Sequence, residues 1–399
     1  MARYSRVRCI GYVVSTTPPV GDESEAFDRD EWTSNPEQAI DDRFALFSAA
    51  VHQARDTMVG QEEPDCMYIF VVPEFFFRTP LGAMDSSDEN WFGHLQSLVI
   101  QLASAPKFLH WLFVCGTILD SDALAQARET SYKAQQREHM SFLMRAYDNS
   151  ADTEAREVLF SMLQNASESA RQRSLYMVRN RVFIYKQNSV EFPKGLAVDK
   201  LHCSANNVRA IVFAPRVCSD LSVAYPPINL SNGEIKVSGA DCRSIFTIER
   251  ICFAVEVCLD HKRGRLRQVR CSHTASQVPV DVHLIVSCGM QIHESSVVAR
   301  TGGIVFNTDG QYATREKDLF PDALTSHFQG SEDMRGHTQL SVVVEEAALD
   351  GTSHATLGLP ERVSSVQRAP LVVPEGFCVN RIMAYGPGEI HLYPSLKLP

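Results

Sequence analysis

Three polar residues in this chain each close an apolar run, and their types suit covalent catalysis. Glu74 follows Cys66–Val72 and Pro73, Lys186 follows Arg181–Tyr185, and Cys258 follows Ile251–Val257. A thiol attacks carbon as the thiolate, and its unperturbed pKa of ~8.5 means it needs help at neutral pH. A neighbouring carboxylate can take the proton, and an ammonium can stabilise both the thiolate and the oxyanion formed on attack. Losing one oxyanion stabiliser costs about 3–4 kcal/mol of barrier, so a lysine in that role carries real weight. Taken singly, each residue has a plainer reading: a loop carboxylate, a solvated lysine, an inert buried thiol. Cys252 and Cys288 are rival thiols, and Lys194 competes with Lys186.

The elements that must position these groups alternate short apolar runs with amphipathic stretches, which predicts a layered α/β fold. Val7–Val14 reads as a first strand. Asn35-Pro36-Glu37-Gln38 starts a helix, and Ile40, Phe44, Phe47, Val51 and Ala54 then give one apolar face. Cys66–Val72 is continuously apolar, as in a strand covered on both faces. A helix over 90–104 and a buried strand at Trp111–Leu119 follow. Residues 121–173 contain no Gly or Pro and predict two helices breaking near Asn149, an insertion within one domain spanning 1–399. Tyr176–Val178 and Arg181–Tyr185 read as two strands. Residues 193–243 are loop-like around a strand at Ala210–Ala214, and Ile245–Thr247 pairs with Ile251–Val257. Val282–Cys288 and Gly302–Phe306 are further strands. A C-terminal extension from about 336 to 399 carries short strands at Leu371–Val373 and Arg381–Ala384.

The formal charge is 38 − 48 = −10, against a dedicated nucleic-acid or membrane-surface binder, because phosphate binding wants a basic face. No run approaches the ~18–20 apolar residues of a membrane span. Eleven cysteines, an odd number without a CxxC pair, sit mostly in apolar runs, which suits buried thiols in a reducing compartment and a cytoplasmic location.

Val-Val-Pro-Glu74, Ile-Tyr-Lys186 and Val-Cys258-Leu-Asp260, in that order, resemble the Glu–Lys–Cys motifs of the nitrilase (carbon–nitrogen hydrolase) superfamily. Phe113–Thr117, Val280–Met290 and Thr301–Gly310 resemble its flanking strands, so the likeness spans roughly residues 5–310. The resemblance implies a nitrilase-like α-β-β-α sandwich forming homodimers. It also implies Glu74 as general base, Lys186 as stabiliser of the tetrahedral intermediate and Cys258 as nucleophile. The substrate would be a small amide, carbamoyl compound or nitrile, with no metal or organic cofactor. Departures are clear. The Glu-to-Lys gap is 186 − 74 = 112 residues, and Gln187-Asn188-Ser189 follows Lys186 where members commonly have x-His-Leu. Leu259-Asp260-His261 lacks the family's aromatic residue after the cysteine. A second pocket carboxylate would be Glu191. An acyl- or amidino-transferase, or a non-catalytic binding protein on the same fold, remains open.

The run His261–Arg270 holds five cations. Lys262 and Arg263, nearest to Cys258, together with Asp260, are candidates for binding the substrate, the two cations for an anionic group of it; a solvated helix start is an equal reading. Phe75, Phe76 and Phe77 offer one pocket wall, although core packing accounts for at least two of them. His261, His283 and His293 do not have metal-motif spacing.

Overall fold

The computed structural model describes residues 4–16, 36–79, 83–85, 90–123, 175–200, 244–272, 278–311, 338–347, 354–359, 366–379, 382–383 and 386–399, plus short pieces between 141 and 156 and between 222 and 237. In chain order the first strands are β1 (Arg6–Val13), β2 (Cys66–Val71), β3 (Met84–Asp85), β4 (Trp111–Ala123), β5 (Leu175–Lys186) and β6 (Leu196–Asp199). Three short strands follow, β7 (Ser222–Val223), β8 (Ile228–Ser231) and β9 (Glu234–Val237). Next come β10 (Ile245–Ile248), β11 (Ile251–Val257), β12 (Val280–Ser287) and β13 (Ala299–Asp309). The last are β14 (Gln339–Glu345), β15 (Thr356–Gly358), β16 (Gln367–Pro370) and β17 (Glu389–Lys397). The helices used below are α1 (Pro36–Thr57), α2 (Trp91–Ala103), the single turn α3 (Leu259–Lys262) and α4 (Arg265–Ser272).

Two sheets result. The first has the order β16-β17-β1-β2-β4-β5-β6, and the second runs β10 through β15 in sequence order. Strands β1, β2 and β4 are parallel, joined by crossovers through α1 and α2. Parallel strands need both faces covered, and two apolar clusters supply that. On the outer face, Ile40, Phe47 and Val51 of α1 and Leu95 and Val99 of α2 pack on Ile10, Tyr12, Phe70 and Phe113. On the inner face, Val7, Met67, Ile69, Val71 and Leu112 meet Phe253, Val255, Val282, Leu284, Ile304 and Phe306 of the second sheet. Behind the second sheet, Ala254, Ile285 and Val305 pack with Leu266 of α4. The chain is thus an α/β protein with two face-to-face sheets and helices on the outer faces.

Several expected elements differ. The two strands expected before Lys186 are one continuous β5, because both halves pair in a single antiparallel ladder with β4. β4 outruns its expected end at Leu119 and carries a register break between Val114 and Thr117. Leu371–Val373 is not a strand; it lies between Pro370 and Pro374, which lack the N–H that a ladder needs. The C-terminal segment supplies β17, which pairs with β1 inside the first sheet, and β14 and β15, which complete the second. The strand expected at Ala210–Ala214 and most of the 121–173 insertion fall outside the described residues. Among the described residues, no helix is long and apolar enough to cross a membrane.

Candidate active site

Strand direction decides which side chains can meet. Glu74 lies just past the C-terminal end of β2. Its backbone N–H donates to Ser287 O at the end of β12 (3.2 Å), and Thr16 Oγ1 donates to its carbonyl (2.6 Å). The loop that carries it also rests on the irregularity in β4. Phe75 N–H donates to Thr117 Oγ1 (2.7 Å), and Gly116 sits at φ +67° with the position of a would-be Cβ 2.4 Å from Pro73 O. Only glycine tolerates both that backbone and that approach.

The Glu74 carboxylate is fully buried. Its Oε1 accepts from Lys200 Nζ (2.7 Å) and Asn180 Nδ2 (2.8 Å). Its Oε2 accepts from no N–H or O–H among the described residues, and the Cys258 thiol interacts with this carboxylate. The Lys200 side chain has no exposure and its ammonium lies 5.6 Å from the Phe75 ring centre. Phe76 and Phe77 are wholly buried in the outer core, leaving Phe75, half-buried at φ +63°, as the aromatic at the site.

The structure places a different lysine beside Glu74 than the one expected. Lys186 is not beside Glu74; its Nζ donates to Leu109 O and Gln187 O (both 3.3 Å) and lies 3.8 Å from Glu249. The reason is topological. β5 runs antiparallel to β4, with Leu112 opposite Lys186 and Leu119 opposite Asn180. The end of β5 thus points to the sheet edge away from Glu74, six residues or about 20 Å from Asn180 at ~3.4 Å per residue. β6 reverses direction again, pairing Arg181 with Asp199, so the residue following it returns to the Glu74 edge. That residue is Lys200, and its N–H donates to Asn180 O (2.8 Å). A signal was present: Lys200-Leu201-His202 has the Lys-x-His pattern missing at Lys186. The rival Lys194 is exposed, in the turn on the far edge.

Cys258 ends β11 at φ +46°, ψ −108°, a conformation that costs a non-glycine residue of order 1–3 kcal/mol and persists only where its surroundings impose it. Alternation explains its use. Phe253, Val255 and Val257 face the inner core, whereas Cys252 and Ala254 face the outer one. Regular continuation would turn residue 258 outward, yet Cys258 belongs with the inner set. The strained backbone re-aims the thiol into the cleft between the sheets. Burial pushes the thiol well above its ordinary pKa, the Glu74 charge adds to that, and the Lys200 ammonium opposes it. Its sulfur lies 4.0 Å from Cys288 O, and its N–H is held by Val286 O (3.0 Å). Cys252 is buried on the outer face and Cys288 is half-buried near Arg78.

The residues expected to bind substrate are not gathered there. Glu191 is exposed and accepts from Ser189 Oγ (3.1 Å) in the turn after Lys186. Asp260 is wholly buried against Arg265 Nη1 (3.1 Å), which also donates to Asp199 O (3.1 Å) and so ties the cysteine turn to the strand that ends at Lys200. Lys262 and Arg263 are exposed and line a surface depression of about 300 Å³ with Arg267, Gln268 and Ser296, whose lining excludes Glu74, Lys200 and Cys258. The helical turn that starts at Leu259 buries Asp260 against Arg265 and leaves Lys262 and Arg263 at the surface.

One His/Glu cluster among the described residues could be taken for a metal centre: Glu256, His261 and His283. Hydrogen bonding opposes it. The outer nitrogens face donors, with His293 N–H on His261 Nε2 (3.0 Å) and Val298 N–H on His283 Nδ1 (3.4 Å). Both rings must therefore point N–H groups at Glu256 Oε2, where a metal would need lone pairs.

No family model matches the chain, and no curated protein matches it. Among solved structures, it is similar to a cysteine-to-alanine mutant of a Nesterenkonia amidase from the nitrilase superfamily, at 8% identity, with a TM-score of 0.30 and 77% of each chain covered.

Proposed function

We propose that this protein is a thiol-dependent hydrolase of a non-peptide carbon–nitrogen bond, with Cys258 as nucleophile, Glu74 as general base and Lys200 as electrostatic stabiliser. The observation that carries the reading is the division of labour on one buried carboxylate. Oε1 is saturated by Lys200 and Asn180, while Oε2 accepts from no N–H or O–H in the cleft into which a strained backbone turns a protonated thiol that interacts with the same carboxylate. A buried acceptor short of N–H and O–H donors is costly unless something arrives to use it.

On an amide, the Cys258 sulfur bonds to the carbonyl carbon as its proton passes to Glu74 Oε2. Lys200 offsets the negative charge that develops on the carbonyl oxygen. The carbon–nitrogen bond then breaks, and the proton on Glu74 goes to the departing nitrogen. Water gives a proton to Glu74 as its oxygen attacks the thioester; the sulfur leaves and is reprotonated. Carbamoyl compounds and nitriles present the same electrophilic carbon.

Intact-mass spectrometry after incubation with a panel of amides, carbamoyl compounds and nitriles tests this reading. A covalent adduct that maps to Cys258 and is released by water is the expected result. Release only after addition of an amine acceptor makes the protein a transferase, and turnover retained by Cys258→Ala ends the proposal.

A further inference from the structure

Glu256 sits two residues before Cys258, and its side chain lies on the other face of β11, under α3 and α4. It is fully buried and accepts three hydrogen bonds: from Leu266 N–H to Oε1 (2.9 Å), and from His261 Nδ1 (2.8 Å) and His283 Nε2 (3.1 Å) to Oε2. Burial alone raises this carboxyl, yet the two ring donors outweigh it and hold the pKa at about 2. The rings are themselves fixed by backbone N–H groups of His293 and Val298, so neither can exchange its tautomer without setting donor against donor.

His261 belongs to the turn that follows the cysteine, and its backbone N–H donates to Cys258 O (2.8 Å). A rigid path therefore runs from β12, through Glu256 and His261, to the carbonyl of the strained residue. We infer that Glu256, acting through His261 and His283, is a positioning residue that holds Cys258 in the left-handed conformation and so keeps its thiol in the cleft with Glu74 and Lys200. This rests on the nucleophile reading above. Relaxation to an ordinary strand conformation would return the thiol to the outer face, away from the base.

The test is alkylation of the full-length protein by iodoacetamide, followed residue by residue by peptide mapping, with half-buried Cys288 as an internal reference. In Glu256→Gln the amide cannot accept from three donors, and one N–H must face another. Labelling of Cys258 should fall at least tenfold, with Cys288 changed less than twofold. His261→Asn keeps a donor where Nδ1 stands and should stay within threefold of the parent, whereas His261→Leu should behave as Glu256→Gln. Unchanged or faster Cys258 labelling in both Glu256→Gln and His261→Leu overturns the inference. If Glu256→Gln does not fold, the His261→Asn and His261→Leu pair decides by itself. The readout needs no substrate, so it fails separately from the proposed reaction. Where turnover is measurable, kcat should fall with the labelling rate while KM changes little.

Discussion

Two lysine–glutamate pairs have their lysines at opposite edges of the first sheet, and their contrast shows what makes a site. Lys200 and Glu74 are 2.7 Å apart with no exposure on either side chain. Lys186 and Glu249 are 3.8 Å apart, and the glutamate is a quarter exposed. Residue types are identical. At the first edge the carboxylate is fixed by two donors, has one oxygen to spare and shares its cleft with a strained cysteine. At the second, the ammonium is shared among two carbonyls and a partly wet carboxylate. Chemistry follows the arrangement of neighbours and the exclusion of water.

The sharpest way to break this contrast is Cys258→Ala, which should lower turnover on the order of 10³-fold or more while leaving the thermal transition in place. Retained turnover would leave the two edges equivalent. Next, Lys200→Met strands the buried Glu74 carboxylate and should cost about 3–5 kcal/mol of stability together with a roughly 10²-fold loss of kcat. Lys186→Met should keep kcat within threefold; the opposite ranking, measured by denaturant titration and steady-state kinetics, would return the role to Lys186.

Gly116→Ala probes how the Glu74 loop is held. The added carbon would lie 2.4 Å from Pro73 O at φ +67°, so the loop must shift, with a cost of about 1–3 kcal/mol and a fall in kcat. Gly60→Ala, at φ +79° with nothing within 4 Å, is the control and should leave kcat unchanged. Equal kcat in both variants would mean that the loop tolerates displacement.

Acid should loosen the cysteine turn. Burial lowers the His261 pKa below its ordinary value, so the unfolded chain binds the proton more readily. The stability tied to neutral His261 is complete above about pH 6.5 and declines as pH falls from there towards the folded value. Urea midpoints measured between pH 8 and 5 should fall in the parent and less in His261→Asn; identical slopes would remove His261 from the account. The smallest effect is expected at the exposed basic run, where Arg263→Glu should change KM by less than twofold, since the depression it lines excludes the three central residues.

Much of this was legible in the chain itself. Apolar runs at Cys66–Val72 and Ile251–Val257 announced the strands beneath Glu74 and Cys258, because a strand covered on both faces must be apolar throughout. The periodic face from Ile40 to Ala54 announced α1 for a similar reason. Residue types at strand ends narrowed the chemistry to a thiol with a carboxylate and an ammonium. The sequence could not say which lysine joins them, because local pattern marks where a strand ends without marking the edge at which it ends. Two antiparallel reversals, β4 to β5 and β5 to β6, sent Lys186 to one edge and brought Lys200 to the other. Nor did any local pattern reveal the backbone of Cys258 or the knot around Glu256. Both arise from contacts between segments up to 32 residues apart, such as His261 with His293, that exist only once β11 has paired with β12 and the following turns have packed over them.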